Sequence, residues 1–293
     1  MSRLIRVGAY PIVLMLGVLV HLVLRQAGVS LHVSMYIPVV LGAILIVVLE
    51  RQASCRDAWW ADKREIQQDA MFMVFIQVIF PPILTFAVSL TVLDWLQEHR
   101  WTMGNLWPHH WPVAAQMVLM MVLADGLRYW LHRWAHEWEP LWRFHAVHHS
   151  PHKLYWLNVG RFHPVDKGLQ FVLDSFPFLL LGVSGEVLAL YGVCYAINGF
   201  FQHCNIDLRL GWLNYVMSGP ELHRWHHSNQ KEESNHNYGN NLIIWDLMFG
   251  TWYLPPGRTV GELGLANRDY PMTFWEQMTT PLIPGSDTRT IVS

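Results

Sequence analysis

Long apolar stretches dominate the first half of the chain and alternate with short polar loops. A helix needs about 20 mostly apolar residues to cross a bilayer. By that rule we predict four membrane-spanning helices, at about 4–24, 35–50, 70–93 and 113–131. The third contains Pro81-Pro82, and we expect these prolines to kink it, because proline removes a backbone donor from the helix.

The second half holds a shorter hydrophobic pair, at about 169–183 and 186–202, interrupted by Gly182 and Gly185. This pattern fits either a hairpin that enters the membrane and returns or two short spans. Residues 204–280 are polar, with turn signals and without the alternation typical of strands. The predicted fold class is therefore all-α: an integral-membrane helical bundle of about four full spans plus the hairpin, with a helical cap.

The composition agrees with a membrane protein. The chain is 52% hydrophobic and 14% charged, with a mean hydropathy of +0.19, whereas average proteins carry roughly 25% charged residues. The 16 tryptophans and 10 tyrosines fit the aromatic belts of membrane interfaces. A net charge of −2 without a long basic run gives no support to nucleic acid binding. Three cysteines make no disulfide framework.

The distribution of basic residues predicts the orientation in the membrane. The 51–69 loop carries Arg51, Arg56, Lys63 and Arg64, whereas the loops at 25–34 and 94–112 carry one arginine each. Short loops rich in Lys and Arg stay in the cytoplasm. We therefore expect a cytoplasmic N-terminus and a fourth helix that leaves the membrane on the cytosolic side, where His132 begins.

Three regular histidine clusters follow this fourth helix. They are His132-x-x-x-His136, His145-x-x-His148-His149 and His223-x-x-His226-His227. Spacings of three and four residues place side chains on one helix face, and imidazole is a ligand for iron, zinc, copper and nickel. One such pair arises often by chance, but three together predict a metal site. Because eight imidazoles are too many for one ion, we predict two metal ions in one pocket.

Further histidines extend the candidate set. We favour His203 as a ligand, because the hydrophobic pair returns there to the metal side. His163, before Pro164, is predicted to be a ligand or to lie next to one, and His236 is a weaker candidate. The remaining ones are expected to be solvated or at the membrane interface: His21, His32, His99, His109, His110 and His152.

Carboxylates near the clusters are expected to accept ring N–H groups and so to orient the ligands. The candidates are Glu137, Asp166, Asp207 and Asp246. Asp125 differs because it lies inside the fourth predicted span. Ionisable groups there face the bundle interior. Asp125 is expected either to pair with Arg128 one turn later or to line a substrate path.

The clusters, in this order after a membrane helix, resemble the fatty acid hydroxylase and sterol desaturase superfamily of membrane diiron enzymes. The resemblance covers about residues 115–255 and includes Gly160-Arg161-Phe162-His163-Pro164, His203, Asn237-Tyr238-Gly239 and the segment Ile244–Thr251. Within the superfamily, His136-Glu137 and the segment after the third cluster look most like bacterial sterol-desaturase-like proteins and alkylglycerol monooxygenase. The resulting division is 1–112 for transmembrane helices, 113–255 for the diiron domain and 256–293 for the tail.

The resemblance implies two irons held by the eight cluster histidines and His203, with molecular oxygen as oxidant. It implies a lipid substrate whose C–H bond is attacked, giving a hydroxyl group, a double bond or ether cleavage. The sequence contains no His-Pro-Gly-Gly haem motif. We therefore expect electrons from another protein, either a ferredoxin or a cytochrome b5-type protein with its reductase. The expected location is a bacterial inner membrane, with the active site on the cytoplasmic side.

Other functions remain open at this stage. The same scaffold fits a lipid hydroxylase or a lipid or sterol desaturase, and the sequence does not separate these. A metal transporter or storage protein is less favoured, because transport needs polar groups within several spans, and here the spans hold almost none apart from Asp125. A zinc hydrolase uses about three protein ligands, fewer than the histidines present.

Overall fold

The computed structural model describes residues 3–98, 103–283 and 285, and within them the secondary structure is helical, with isolated β-bridges and no strand. The prediction of an all-α fold is confirmed. The helices are α1 (Arg3–Gln26), α2 (Leu31–Gln52), α3 (Lys63–Phe72), α4 (Phe80–Val88), α5 (Asp94–Glu98), α6 (Val113–Glu137), α7 (Glu139–His149), α8 (Pro164–Asp174), α9 (Phe176–Leu180), α10 (Gly185–His203), α11 (Pro220–His226), α12 (Lys231–Ser234), α13 (Ile244–Phe249) and α14 (Phe274–Thr279).

Among the described residues, three helical segments are long and apolar enough to cross a membrane: Ile5–Gln26, Leu31–Gln52 and Lys63–Val92. Many of their large apolar side chains, such as Met15, Val40 and Phe86, are exposed, as expected for surfaces that face lipid. The predicted fourth span coincides with α6, which is not among the three. The count of four spans therefore stays a prediction.

The third segment is helical throughout, but its winding changes. A π-helical stretch, Met73–Ile79, joins α3 to α4, and Pro81 and Pro82 lie in the first turn of α4. Proline cannot donate to a carbonyl one turn earlier, so a regular α-helix is disfavoured directly before the pair. The irregularity expected at the prolines thus appears in the turns that precede them.

The predicted hydrophobic hairpin is built differently from the expectation. Its first arm is two helices, α8 and α9, which meet at Ser175 just before Pro177. Its second arm is α10, which lies at the centre of the bundle against α1, α2 and α6. Close approach is possible because α1 and α2 present Gly17 and Gly42 to Ile197 of α10. A Cβ on Gly17 would lie 2.3 Å from Ile197 Cδ1.

A sharp turn between α6 and α7 brings two histidine clusters together. Trp138 leaves the helical conformation with φ −116° and ψ 115°, and Pro140 stands in the first turn of α7. Proline suits a helix start because its missing N–H would have no partner there. The chain therefore reverses, and the end of α6 packs against α7.

Candidate metal centre

Nine histidines converge in two compact groups. Site 1 consists of His132, His136, His145, His149 and His226, and site 2 of His148, His203, His223 and His227. In each group one nitrogen of every ring lies within 4.8 Å of the others. Eight of the rings are buried, and His132 is nearly so. All eight cluster histidines and His203 are thus brought together as predicted.

The helical spacing explains how each H-x-x-H-H cluster serves both sites. His145 and His149 belong to site 1, whereas His148 belongs to site 2. Successive residues of an α-helix point about 100° apart, and residues four apart point nearly the same way. The i,i+4 pair therefore shares one site, and the histidine between them turns to the other. The third cluster does the same, with His223 and His227 in site 2.

Oxygen acceptors fix the rings of site 1. Nδ1 of His132 donates to the Tyr238 carbonyl at 2.7 Å, and Nδ1 of His226 donates to the His236 carbonyl at 2.8 Å. Nδ1 of His145 donates to the Asp166 carboxylate at 2.8 Å. Since these oxygens accept, each Nδ1 carries the proton and each Nε2 keeps its lone pair. The lone pairs are thus available to a metal ion.

The Nε2 atoms are placed where an ion fits. Those of His136 and His149 lie 3.1 Å apart. Those of His132 and His145 are buried and have no hydrogen-bond partner within the described residues. Leaving buried polar atoms unsatisfied costs about 1–3 kcal/mol each. A bound cation removes this cost, and the residues of site 1 fit one.

Site 2 has oxygen acceptors on two of its four rings, whereas Nδ1 of His223 and of His227 is buried without a partner among the described residues. Nδ1 of His148 donates to the Arg161 carbonyl at 3.2 Å, and Nδ1 of His203 donates to Asn158 Oδ1 at 2.8 Å. Nε2 of His203 is buried without a partner in the described chain. The Nε2 atoms of His223 and His227 lie 3.1 Å apart. Four imidazoles therefore surround a second position suited to a metal ion.

Burial keeps these rings neutral. It lowers the pKa of His148, His149, His223 and His227 well below the ordinary value, and neighbouring imidazoles lower it further. Burial lowers the pKa of His203 to about 3. Only neutral imidazole binds metal, so the rings are ready ligands at neutral pH.

A short segment after α12 supplies several of the oxygen acceptors of site 1. Asn237 adopts a left-handed conformation with φ 58°, which asparagine tolerates better than most residues. Its side-chain amide donates to the carbonyls of Leu222 at 3.0 Å and Tyr253 at 2.7 Å. The turn is thereby held with the carbonyls of His236 and Tyr238 facing the histidines.

The predicted carboxylates have different roles. Asp166 accepts from His145, as anticipated. Asp246 acts indirectly, by holding the segment whose Tyr238 carbonyl accepts from His132. It accepts from the backbone N–H groups of Tyr238 and Gly239, at 2.8 and 2.7 Å. Glu137 and Asp207 do not reach the site, because they form ion pairs with Arg133 and Arg6.

Asp125 follows neither expected alternative. It is fully buried and accepts from the backbone N–H groups of Asn241 and Leu242, at 2.9 and 2.5 Å. Arg128 pairs instead with Asp174 of α8 at 3.0 Å. Asp125 therefore anchors the loop after the third histidine cluster to α6.

His163 lies outside both sites, which corrects its predicted place among the ligands. Its Nδ1 accepts from the Val165 N–H at 3.1 Å and caps α8, and its Nε2 donates to the Met278 carbonyl at 3.2 Å. With both nitrogens engaged, the ring offers no lone pair to a metal. We therefore leave His163 out of the proposed ligand set.

The other histidines lie away from the metal positions. The ring of His236 packs on Tyr253, and only its carbonyl serves site 1. His32, His109 and His110 are exposed and His152 is half-buried. His21 differs from the prediction: it is buried between α1 and α2, with Nδ1 3.0 Å from the Ser34 carbonyl. His99 lies outside the described residues.

Sequence reasoning missed several residues that hold the ligands. Asn158 and Asn235 place side-chain oxygens against His203 and His136, at 2.8 and 3.3 Å. Neither asparagine lies at a sequence spacing from its histidine that would predict the contact. Arg161 and Tyr238 act through backbone carbonyls, so side-chain chemistry gives no signal of their role. Their positions inside Gly160–Pro164 and Asn237–Gly239 were the available hint.

Comparison with known proteins identifies the histidine-bearing region. Residues 117–251 match the fatty acid hydroxylase family. Ornithine lipid hydroxylase OlsE of Rhizobium tropici is 44% identical over 165 residues, which cover 56% of this chain and 50% of that protein. Alkylglycerol monooxygenases of Danio rerio and Homo sapiens are 33% and 34% identical over 38% of this chain and 25% of theirs. The chain thus spans half or less of these relatives' lengths. No solved structure matches significantly. The predicted family resemblance is confirmed for this region.

Proposed function

We propose that this chain, whose residues 117–251 form a fatty acid hydroxylase domain, is a membrane-bound diiron oxygenase that hydroxylates a C–H bond of a lipid. The observation that carries the proposal is the pair of neighbouring imidazole sites beside apolar helices. The reaction consumes one dioxygen molecule, two electrons and two protons per C–H bond. Its products are an alcohol and one water molecule, so atoms and electrons balance.

The ligand set favours iron over zinc. Nitrogen donors suit both metals, but zinc has no redox chemistry. Two irons held by sites 1 and 2 would supply activation of dioxygen, with electrons from a ferredoxin or cytochrome b5-type donor. Nine protein ligands also exceed the three of a hydrolytic zinc site.

The protein residues have defined tasks in this account. The nine histidines would hold the metals. Carbonyl or carboxylate oxygens accept the Nδ1 protons of His132, His145, His148 and His226, which fixes the tautomer of these four rings and raises their basicity as ligands. Aromatic side chains shield the sites from water. Phe162 stacks on His148 at 4.1 Å between ring centroids, and Trp142 lies 5.3 Å from His136. Exclusion of water protects the substrate position from side reactions.

We place the protein in a bacterial inner membrane with its N-terminus and active site in the cytoplasm. The basic 51–69 loop supports this orientation. An active site on the cytoplasmic side would be accessible to a soluble reductase system. The presence of a bacterial lipid hydroxylase among the relatives supports the assignment.

Oxygen labelling tests the proposed reaction. Bacteria with and without the gene would be grown under ¹⁸O₂, and their lipids compared by mass spectrometry. We expect a lipid that gains one ¹⁸O atom only when the wild-type gene is present, and not with His226→Ala. A product that loses two hydrogens without gaining oxygen would identify a desaturase instead and contradict the proposal.

A further inference from the structure

A polar cluster lies inside the bundle where α6, α8 and α10 meet, apart from both metal sites. Its members are Arg128, Lys167, Gln170, Asp174, Tyr191 and Tyr195. Arg128, Lys167 and Tyr191 are each at most 7% exposed. Burying charged groups in a protein interior is expensive unless they are paired, and in membrane proteins such groups often mark a ligand or substrate path.

Some hydrogen-bond donors in this cluster have no acceptor among the described residues. The Lys167 ammonium has three donors, and the contacts shown are Tyr195 Oη at 3.2 Å and Gln170 Oε1 at 3.5 Å. Tyr191 Oη and Arg128 Nε are buried and have no hydrogen-bond partner among the described residues. Several donors in one buried region thus lack an acceptor.

The carboxylates nearby are already engaged. Asp174 accepts from Arg128 at 3.0 Å and from Ser175 at 2.8 Å. Asp166, next to Lys167 in the chain, accepts from His145 and from Gln170. Lys167 itself forms no ion pair in the described chain. A bound ligand or water molecules would supply the acceptors that the described chain does not.

The cluster lies near site 2 and beside an apolar surface. Lys167 Nζ is 5.6 Å from the ring centre of Phe162, and Phe162 stacks directly on His148. Tyr191 also packs in an apolar cluster with Met120 and Met121 of α6. One end of a ligand here would be near site 2, and its hydrocarbon part would lie along α6.

We propose that Lys167, Tyr191 and Arg128 bind an anionic oxygen group of the lipid substrate, either a carboxylate or a phosphate. The inference rests on the proposed function and narrows its substrate class to acidic or zwitterionic lipids. A neutral sterol or alkylglycerol offers only uncharged hydroxyl or ether oxygens, which accept hydrogen bonds more weakly than a carboxylate or phosphate. Hydrogen bonds to a charged group are stronger than neutral ones and costly to lose when buried.

Binding of matched probes tests the site. The purified full chain in an uncharged detergent would be titrated with N-dodecanoylglycine, its methyl ester and dodecyl phosphate, at equal mole fractions in the micelle. We expect the wild type to bind one anionic probe at least about tenfold more tightly than the ester. The preferred probe tells carboxylate from phosphate. Equal binding of all three would overturn the proposal and indicate a site that holds water only.

Variants identify the residue responsible for the preference for the anionic probe. Lys167→Met should bring binding of the anionic probe to within about threefold of the ester and leave ester binding unchanged, whereas Lys231→Met on the exposed α12 should match the wild type. Retention of the full preference by Lys167→Met would contradict the inference. Because the readout is binding, the two proposals can fail separately. A protein that binds the anionic probe but incorporates no oxygen would contradict the proposed function and still support this binding site.

Tyr191→Phe gives a second, independent readout. Removing a buried hydroxyl that lacks a partner should leave the probe-free protein at least as thermally stable as the wild type. The same change should weaken anionic probe binding several-fold. Lower stability with unchanged binding would mean that the hydroxyl is structural and would count against the site.

Discussion

Asp69 of α3 forms a buried ion pair with Arg161, and the carbonyl oxygen of Arg161 accepts the Nδ1 proton of His148. Arg161 also donates to the Met272 carbonyl and to Gln277 Oε1, both at 3.1 Å. Through its guanidinium and its carbonyl, Arg161 therefore joins α3, the segment around α14 and His148 of site 2. Asp69 and these C-terminal contacts lie outside the matched residues 117–251.

Asp69→Asn should destabilise the protein and loosen site 2. Breaking one side of a buried ion pair costs about 3 kcal/mol or more, because the other charge stays buried. Denaturation in detergent and metal content per chain would measure both effects. Glu65→Gln, at the partly exposed pair with Lys153, is the control and should cost at most about 1 kcal/mol. Wild-type stability in Asp69→Asn would show that Arg161 does not depend on this charge.

Asp166→Asn should weaken metal binding at site 1. The carboxylate accepts the Nδ1 proton of His145, and removal of such an acceptor typically lowers metal affinity about 10–100-fold. The rate of metal loss to a chelator would report the change. Glu137→Gln, in an exposed pair with Arg133, should behave as the wild type. Equal rates of metal loss in the wild type, Asp166→Asn and Glu137→Gln would show that Asp166 does not affect metal binding.

His203→Ala and His163→Ala should differ, although both residues lie near the clusters. His203 aims a partnerless Nε2 into site 2, whereas His163 uses both nitrogens in hydrogen bonds to protein backbone. The first change should reduce bound metal to about one ion per chain. The second should retain two ions and lower only stability. Loss of metal in His163→Ala with retention in His203→Ala would reverse the assignment.

Reporter fusions test the orientation. An alkaline phosphatase joined after Gly28, between α1 and α2, should be active because it reaches the periplasm. The same enzyme joined after Trp60, between α2 and α3, should be inactive. The opposite pattern would place the histidines on the outer side of the membrane.

The helices and the grouping of the histidines were predictable because both follow from periodicity. Spacings of three and four residues put cluster histidines on one helix face, and α10 ends at His203 as the hydrophobic pattern suggested. The division of ligands between two sites follows from the angle between neighbouring histidines on a helix. That division also requires α6 and α7 to pack against each other, and the turn at Trp138 determines this arrangement.

Tertiary contacts determine the roles of several residues that sequence patterns did not predict. His163 lies before a proline in the segment Gly160–Pro164, yet the chain turns its ring toward Val165 and Met278. Pairing with Arg128 was one of two roles expected for Asp125, but a loop 116 residues away supplies its donors. Backbone carbonyls such as that of Tyr238 carry no side-chain signature at all.

Metal analysis of the purified protein tests the central claim most directly. We predict two irons per chain in the wild type, and about one in a variant such as His203→Ala that removes a ligand of site 2 alone. A pure preparation that oxidises lipid with one iron, with zinc, or with no transition metal would contradict the account.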